Sequence, residues 1–122
     1  MVREKRVLLK NLAKDGSIIS SIKNQNPYLK SQYKVRDYLE ININSAMADQ
    51  RFIFGIIKAL GIDKLYEITV NNLSGGQMQK LSIVTCLGKN ANLYLLDEPS
   101  AFIDVEDRCK LAKIIKQFAY NY

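Results

Sequence analysis

The sequence predicts an α/β protein in which a mostly helical lobe interrupts a strand-and-helix core. Three observations predict it. "SIISSI" (Ser17–Ile22) is short and β-branched, as strands are. "NLYLLDE" (Asn92–Glu98) is a near-continuous apolar run that ends abruptly in acids, the pattern of a buried parallel strand. Between these runs, and after the second, apolar residues recur at helical spacing. Elements in that order suit helices layered on a sheet.

The elements follow in chain order. Arg3 to Ala13 set Val7, Leu8 and Leu12 at helical spacing, so a first helix is expected, closed by Gly16 of "KDG". The strand "SIISSI" stops at "KNQNP", where Pro27 restricts Asn26 and lacks an N–H. "KVRDYLEI" (Lys34–Ile41) reads as a short helix. "MADQRFIFGIIKALGI" (Met47–Ile62) puts Phe52, Ile56, Ala59 and Leu60 on one face of a second, with Gly61 as its stop. Ser74 is the natural N-cap of a helix that runs through "GQMQKLSIVTCLG" to Gly88. Asp104 opens the last helix, with Glu106 and Asp107 in its first turn and Leu111, Ile114, Ile115 and Phe118 as its buried stripe. Two strands are too few for an independent sheet, so parts are expected to be missing or borrowed. Apolar surface is accordingly expected along the edges of "SIISSI" and "NLYLLD".

The 122 residues suffice for one modest domain, and 48% hydrophobic with 25% charged residues is an ordinary globular balance. No apolar run is long enough for a membrane span or a secretion signal, so a cytoplasmic chain without direct membrane insertion is expected. Cys86 and Cys109 match no zinc spacing, the chain has no histidine, and two buried reduced thiols are expected. The net charge of +6 is uneven: residues 1–40 carry nine Lys/Arg against four Asp/Glu. Such a basic third faces either RNA or phosphate, or only solvent, and no aromatic interleaving sharpens the former.

Two stretches carry chemistry. In "LLDEPSAFID" (Leu95–Asp104) the acids stand at a strand end, where α/β folds place ligands. Asp97 there suits a magnesium ion, and Glu98 suits a general base acting on water. In "LSGGQMQK" (Leu73–Lys80) two glycines permit close backbone approach. The N–H groups of Gly75, Gly76 and Gln77 at a helix start, with the Ser74 hydroxyl, would form a cup for a phosphate.

Together, in this order and spacing, the two stretches resemble the nucleotide-binding domain of the ATP-binding cassette (ABC) family. "LSGGQ" resembles the signature motif, "LYLLD" (Leu93–Asp97) the Walker B strand, Glu98 the catalytic glutamate and "SAFID" (Ser100–Asp104) the D-loop. "CLGKNANLYLLDEPSAFIDVEDR" (Cys86–Arg108) is similar to the second such domain of the ABC-E or RNase L inhibitor proteins, the ribosome-recycling ATPases. "SIKNQNP" (Ser21–Pro27) resembles their Q-loop, with Gln25 as its glutamine; "KVRDYL" and "IKALGIDKLYEITVNNLSGGQ" (Ile57–Gln77) resemble their helical lobe. The likeness covers roughly residues 17–110.

The resemblance implies a partial P-loop NTPase (RecA-like) core of an ABC nucleotide-binding domain with an inserted helical lobe. Residues 1–30 would hold the first helix, strand and Q-loop, 31–80 the lobe and signature motif, and 81–122 the Walker B strand, D-loop and following helix. It implies ATP and Mg²⁺ as cofactors. Glu98 would be catalytic, Gln25, Ser74, Gly75, Gly76, Gln77, Asp97 and Asp104 would bind nucleotide, and Gln25 and Asp97 the metal. A second ABC nucleotide-binding domain, in cis or in trans, and the ribosome are the implied partners. The sequence also departs from the family. No G-x-x-x-x-G-K-[ST] pattern occurs, and "RVLLKNLAK" (Arg6–Lys14) would match the helix just after one. The switch histidine and the cysteine-rich iron–sulfur domain have no counterpart, and Gln77, Met78, Gln79 and Lys80 stand where ABC-E proteins more often have Glu and then an Arg. Two alternatives stay open: a short non-catalytic module lending its signature motif to a P-loop-bearing partner, and a fragment of an ABC transporter ATPase subunit.

Overall fold

A computed structural model of the chain describes residues 18–23, 30–96 and 103–119 in full, and the backbone alone of 5–9, 97 and 120–121. Its elements are β1 (Lys5–Leu9), β2 (Ser20–Lys23), α1 (Val35–Asn42), α2 (Asn44–Met47), α3 (Gln50–Phe52), α4 (Gly75–Gly88), β3 (Leu93–Asp97) and α5 (Val105–Asn121).

The sheet has three strands in the order β1-β3-β2. β3 runs parallel to β2, with Ile22 opposite Leu95, and antiparallel to β1, with Val7 opposite Leu95. This corrects the expected first helix: Lys5–Leu9 is a strand. The paired apolar residues Val7 and Leu8 fit either period, and pairing with β3, far along the chain, decides for the strand. β3 is therefore central, so "NLYLLD" is not a sheet edge. Asn92 holds the start of this pairing, because its Oδ1 accepts from the Ile19 N–H at 2.8 Å and its own N–H donates to the Ile19 carbonyl at 2.9 Å.

One face of the sheet packs under helices. Tyr94 and Leu96 are buried there, and the Tyr94 ring meets Phe118 of α5 edge-on, with centroids 5.1 Å apart. The Tyr94 hydroxyl donates to the Lys89 carbonyl at 2.7 Å, which satisfies its polar end. Leu111, Ile114, Ile115 and Phe118 of α5 are buried as their spacing predicted. On the other face Leu93 and Leu95 are half-buried and Ile22 is exposed. The continuous apolar run of β3 thus has one covered face and one open face among the described residues.

The helical lobe closes on a neck where residues 33–36 run beside 66–70. The Val35 N–H donates to the Ile68 carbonyl and the Val70 N–H to the Tyr33 carbonyl, both at 2.9 Å. Above it, α3 starts at Asp49, whose carboxylate accepts from the Arg51 N–H at 2.9 Å. The helix then widens into a π-turn at Ile53–Ile57, closed by Lys58 N–H to Ile53 carbonyl at 2.8 Å. The extra residue in that turn rotates the residues after it about the helix axis. Phe52, Ile56 and Leu60 face inward as expected, but Ile57 is buried and Ala59 is exposed. Gly61 stops the segment at φ +73°, the left-handed conformation that glycine adopts without strain.

The two cysteines part company. Cys86 is buried on α4, while Cys109 is exposed, against the expectation of two buried thiols. Cys109 precedes the α5 stripe by a spacing that turns it outward.

Candidate functional site: a helix-start anion cup and a strand-end acid

α4 begins as its sequence dictates. The Ser74 Oγ accepts from the Gln77 N–H at 3.2 Å, and the Gln77 Oε1 accepts from the Ser74 N–H at 2.9 Å, a complete capping box. This corrects one detail of the cup: the Gln77 N–H is engaged by Ser74 and is not open to an anion. Gln77 instead frames the turn. The N–H groups of Gly75 and Gly76 have no acceptor within a helix and none among the described residues. Ser74 and Gly75 are exposed and Gly76 is half-buried, so both amides open to solvent at the positive end of a 14-residue helix. The Ser74 hydroxyl, an acceptor in the capping box, keeps its own proton to donate. Three donors therefore remain available at the start of α4.

β3 carries a second set of candidate residues. Its last residue is Asp97, and because β2 and β3 are parallel, their carboxyl ends lie side by side, with Lys23 opposite Leu96. Gln25 follows β2 by two residues. The Asp97 side chain, Gln25, Glu98 and Ser100 lie outside the described residues. As residue types, a carboxylate and an amide offer hard oxygen donors of the kind Mg²⁺ takes. Among the described residues no three His, Cys, Asp or Glu side chains gather into a metal-holding group.

Asp104 is exposed and stands just before α5. Its carbonyl accepts from the Arg108 N–H at 2.8 Å, and the Arg108 Nε donates to the carbonyl of buried Ile103 at 2.9 Å. The approach to α5 is thus pinned at both ends of one turn. Asp107, in that turn, receives Lys80 Nζ of α4 at 2.8 Å. This hydrogen bond holds the Asp107 carboxyl below its ordinary pKa, more strongly than slight desolvation raises it.

Three features escaped the sequence reading. Lys23 is fully buried at the carboxyl end of β2, opposite Leu96, although a lysine there reads as surface. Gln79 is fully buried on α4; it lies seven residues before buried Cys86, and that helical spacing could have revealed it. The Ser21 Oγ donates to the Cys86 carbonyl at 2.8 Å, tying β2 to α4. Burial pushes the Cys86 thiol pKa up, with the Ser21 hydrogen bond and the Lys23 charge opposing it.

Residues 3–101 match the family model described as "ABC transporter". The chain belongs to the ATP-binding cassette family. Within it, the likeness falls in the ABC-E or RNase L inhibitor branch. It is 42% identical over 99 residues to ABC transporter E family member 3 of Arabidopsis thaliana, covering 80% of this chain and 55% of that protein. The solved structure of an RNase-L inhibitor superposes on 84% of the chain with a TM-score of 0.77 at 34% identity. An archaeal ribosome recycling factor, solved in complex with the archaeal ribosomal stalk protein aP1, does so on 84% with a TM-score of 0.79 at 33% identity. The chain spans about half the length of the Arabidopsis relative and 20% of each solved chain. The α/β core with its helical lobe is thus part of an ABC nucleotide-binding domain of P-loop NTPase fold. No helix among the described residues is long and apolar enough to cross a membrane.

Proposed function

We propose that this ABC chain forms one half of a composite ATP site. Its signature cup faces the γ-phosphate of an ATP held by the P-loop of a second ABC nucleotide-binding domain, in cis or in trans. The observation that carries the reading is the start of α4. There the Ser74–Gln77 capping box fixes the turn, while the Gly75 and Gly76 N–H groups stay open to an anion. Fixed donors of this kind stabilise charge on a transferring phosphoryl group without reorganising. Asp97 and Gln25 would hold Mg²⁺, which would supply positive charge against the phosphates. Glu98, the residue after β3, acts as general base on the attacking water. Asp104 lies on the segment that meets the facing domain.

The likeness to an archaeal ribosome recycling factor supports a role in ribosome recycling, in the cytoplasm, with the ribosome as partner. The test is ATP turnover by the two-domain assembly that contains this chain. Glu98→Gln is expected to slow hydrolysis by about 100-fold or more, the scale of lost general-base catalysis, while ATP remains bound. Unchanged turnover would contradict the assignment.

A further inference from the structure

We propose that the solvent face of α5 is a docking surface for the phosphate backbone of duplex RNA, contacted by Lys110, Lys113 and Lys116. The lysine face and its phosphate chemistry stand independently of the α4 cup; the choice of RNA over DNA rests on the ribosome reading above.

Spacing builds the face. Leu111, Ile114, Ile115 and Phe118 turn inward, so Lys110, Lys113 and Lys116 fall on the opposite side, three residues apart, and all three are exposed. They span about 9 Å of helix axis. None of them forms an ion pair among the described residues. From Arg108 to Tyr122 the sequence holds no Asp or Glu, and Asp107, just before, is already held by Lys80. Cys109 and Ala112, on the same exposed side, are small and let a backbone approach.

Helix stability does not account for this stripe. Lysine favours a helix at its last turn, and the last turn of α5 holds no basic residue. Like charges one turn apart on one face repel. A polyanion laid along the face removes that repulsion.

The make-up of the face selects the occupant. Protein–protein interfaces are poor in lysine and anchored by aromatic residues and arginine, and the exposed residues from Cys109 to Gln117 include neither. A membrane surface calls for large apolar side chains among the charges, and none is exposed there. Single-stranded RNA stacks its bases on aromatic rings, which are likewise absent from the face. A duplex keeps its bases inside and offers its phosphates, which lysine meets as a point charge.

The test is binding of the 122-residue chain to a labelled RNA duplex of arbitrary sequence, by fluorescence anisotropy across a range of salt. Each phosphate contact adds about 1 to the log–log salt slope. Lys110→Gln, Lys113→Gln and Lys116→Gln together should therefore lower the slope by about 3 and weaken binding about 10-fold or more at low salt. Lys34→Gln, Lys58→Gln and Lys64→Gln together remove the same charge from exposed sites on the lobe and should weaken it less than about 3-fold. Exposed Cys109 reports the contact directly, because bound duplex should slow its alkylation. Should the α5 triple variant fold poorly, Lys113→Gln alone should lower the slope by about 1. Equal weakening by the two triple variants, or unslowed alkylation of Cys109 under saturating duplex, overturns the α5 surface. Tighter binding to a DNA duplex of the same sequence, to polyglutamate or to phosphatidylserine vesicles overturns RNA as the occupant. Failure of the two-domain assembly to sediment with ribosomes, with α5-dependent duplex binding retained, overturns the ribosome reading and leaves the surface standing.

Discussion

Gly88 ends α4, but not by adopting a left-handed conformation, since the positive-φ glycine among the described residues is Gly61. The missing side chain matters instead for space. A Cβ at Gly88 would lie 2.6 Å from the Ile43 Cδ1 and 2.9 Å from the Ile43 Cβ. Ile43 is buried, and its Cβ is fixed to the backbone, so the clash cannot be relieved by a side-chain rotation. Gly88→Ala gains about 1 kcal/mol of helix propensity. Overpacking costs about 1–3 kcal/mol. We predict net destabilisation, read as a lower urea midpoint; a raised midpoint would show that the lobe yields freely at Ile43. Sequence alone marks Gly88 as a helix stop and is right about the place. It is silent on the reason, because Ile43 lies 45 residues earlier and the contact is tertiary.

Between elements, the α4–α5 contact through Lys80 and Asp107 makes a prediction about pH. The Asp107 carboxyl is depressed by its hydrogen bond from Lys80, so its contribution to stability is present above the unfolded aspartate value, about 3.9. It is lost as pH falls through the lower folded value. The difference in unfolding free energy between the unaltered chain and Asp107→Asn should be level from about pH 5 to pH 8 and shrink as pH falls below about 4. Its size should be about 0.5 kcal/mol, because both groups keep access to water. A difference that does not shrink on acidification would mean Asp107 acts by packing. Element by element, the sequence was most legible where one local signal suffices: the Ser74 cap, the α5 stripe and the acid-ended β3. It misled at Lys5–Leu9, where a five-residue strand is too short to declare its alternation and is fixed by its antiparallel partner. It also misled at Ala59, because the π-turn before it breaks the 3.6-residue rhythm on which the expected face rests.

At the scale of the whole molecule, the sheet leaves one apolar side open among the described residues, with Ile18, Ile19 and Ile22 all more than half exposed. Among the described residues β2 is also an outer strand of the sheet. We predict that Ile22→Thr, which keeps a β-branched side chain, reduces aggregation measured by light scattering and changes stability by less than about 0.5 kcal/mol. A loss of about 2 kcal/mol or more, the scale of a core truncation, would show that this face is packed. Of the candidate site, the cup was readable because glycine and serine at a helix start have direct backbone consequences. The closing of Gln77 onto Ser74 and the Lys80–Asp107 ion pair were not, since each depends on which side chain meets which. The central claim is that Gly75 and Gly76 receive phosphate from a facing domain. Its most direct test is the MgATP-dependent association of this chain with a P-loop-bearing ABC-E cassette, measured by sedimentation, for the unaltered chain and for Gly75→Asp. An acid at a helix start favours the helix dipole, so the variant should fold as well as the parent while repelling phosphate. The account predicts a complex that requires MgATP and is lost in Gly75→Asp; association that ignores both nucleotide and substitution would contradict it.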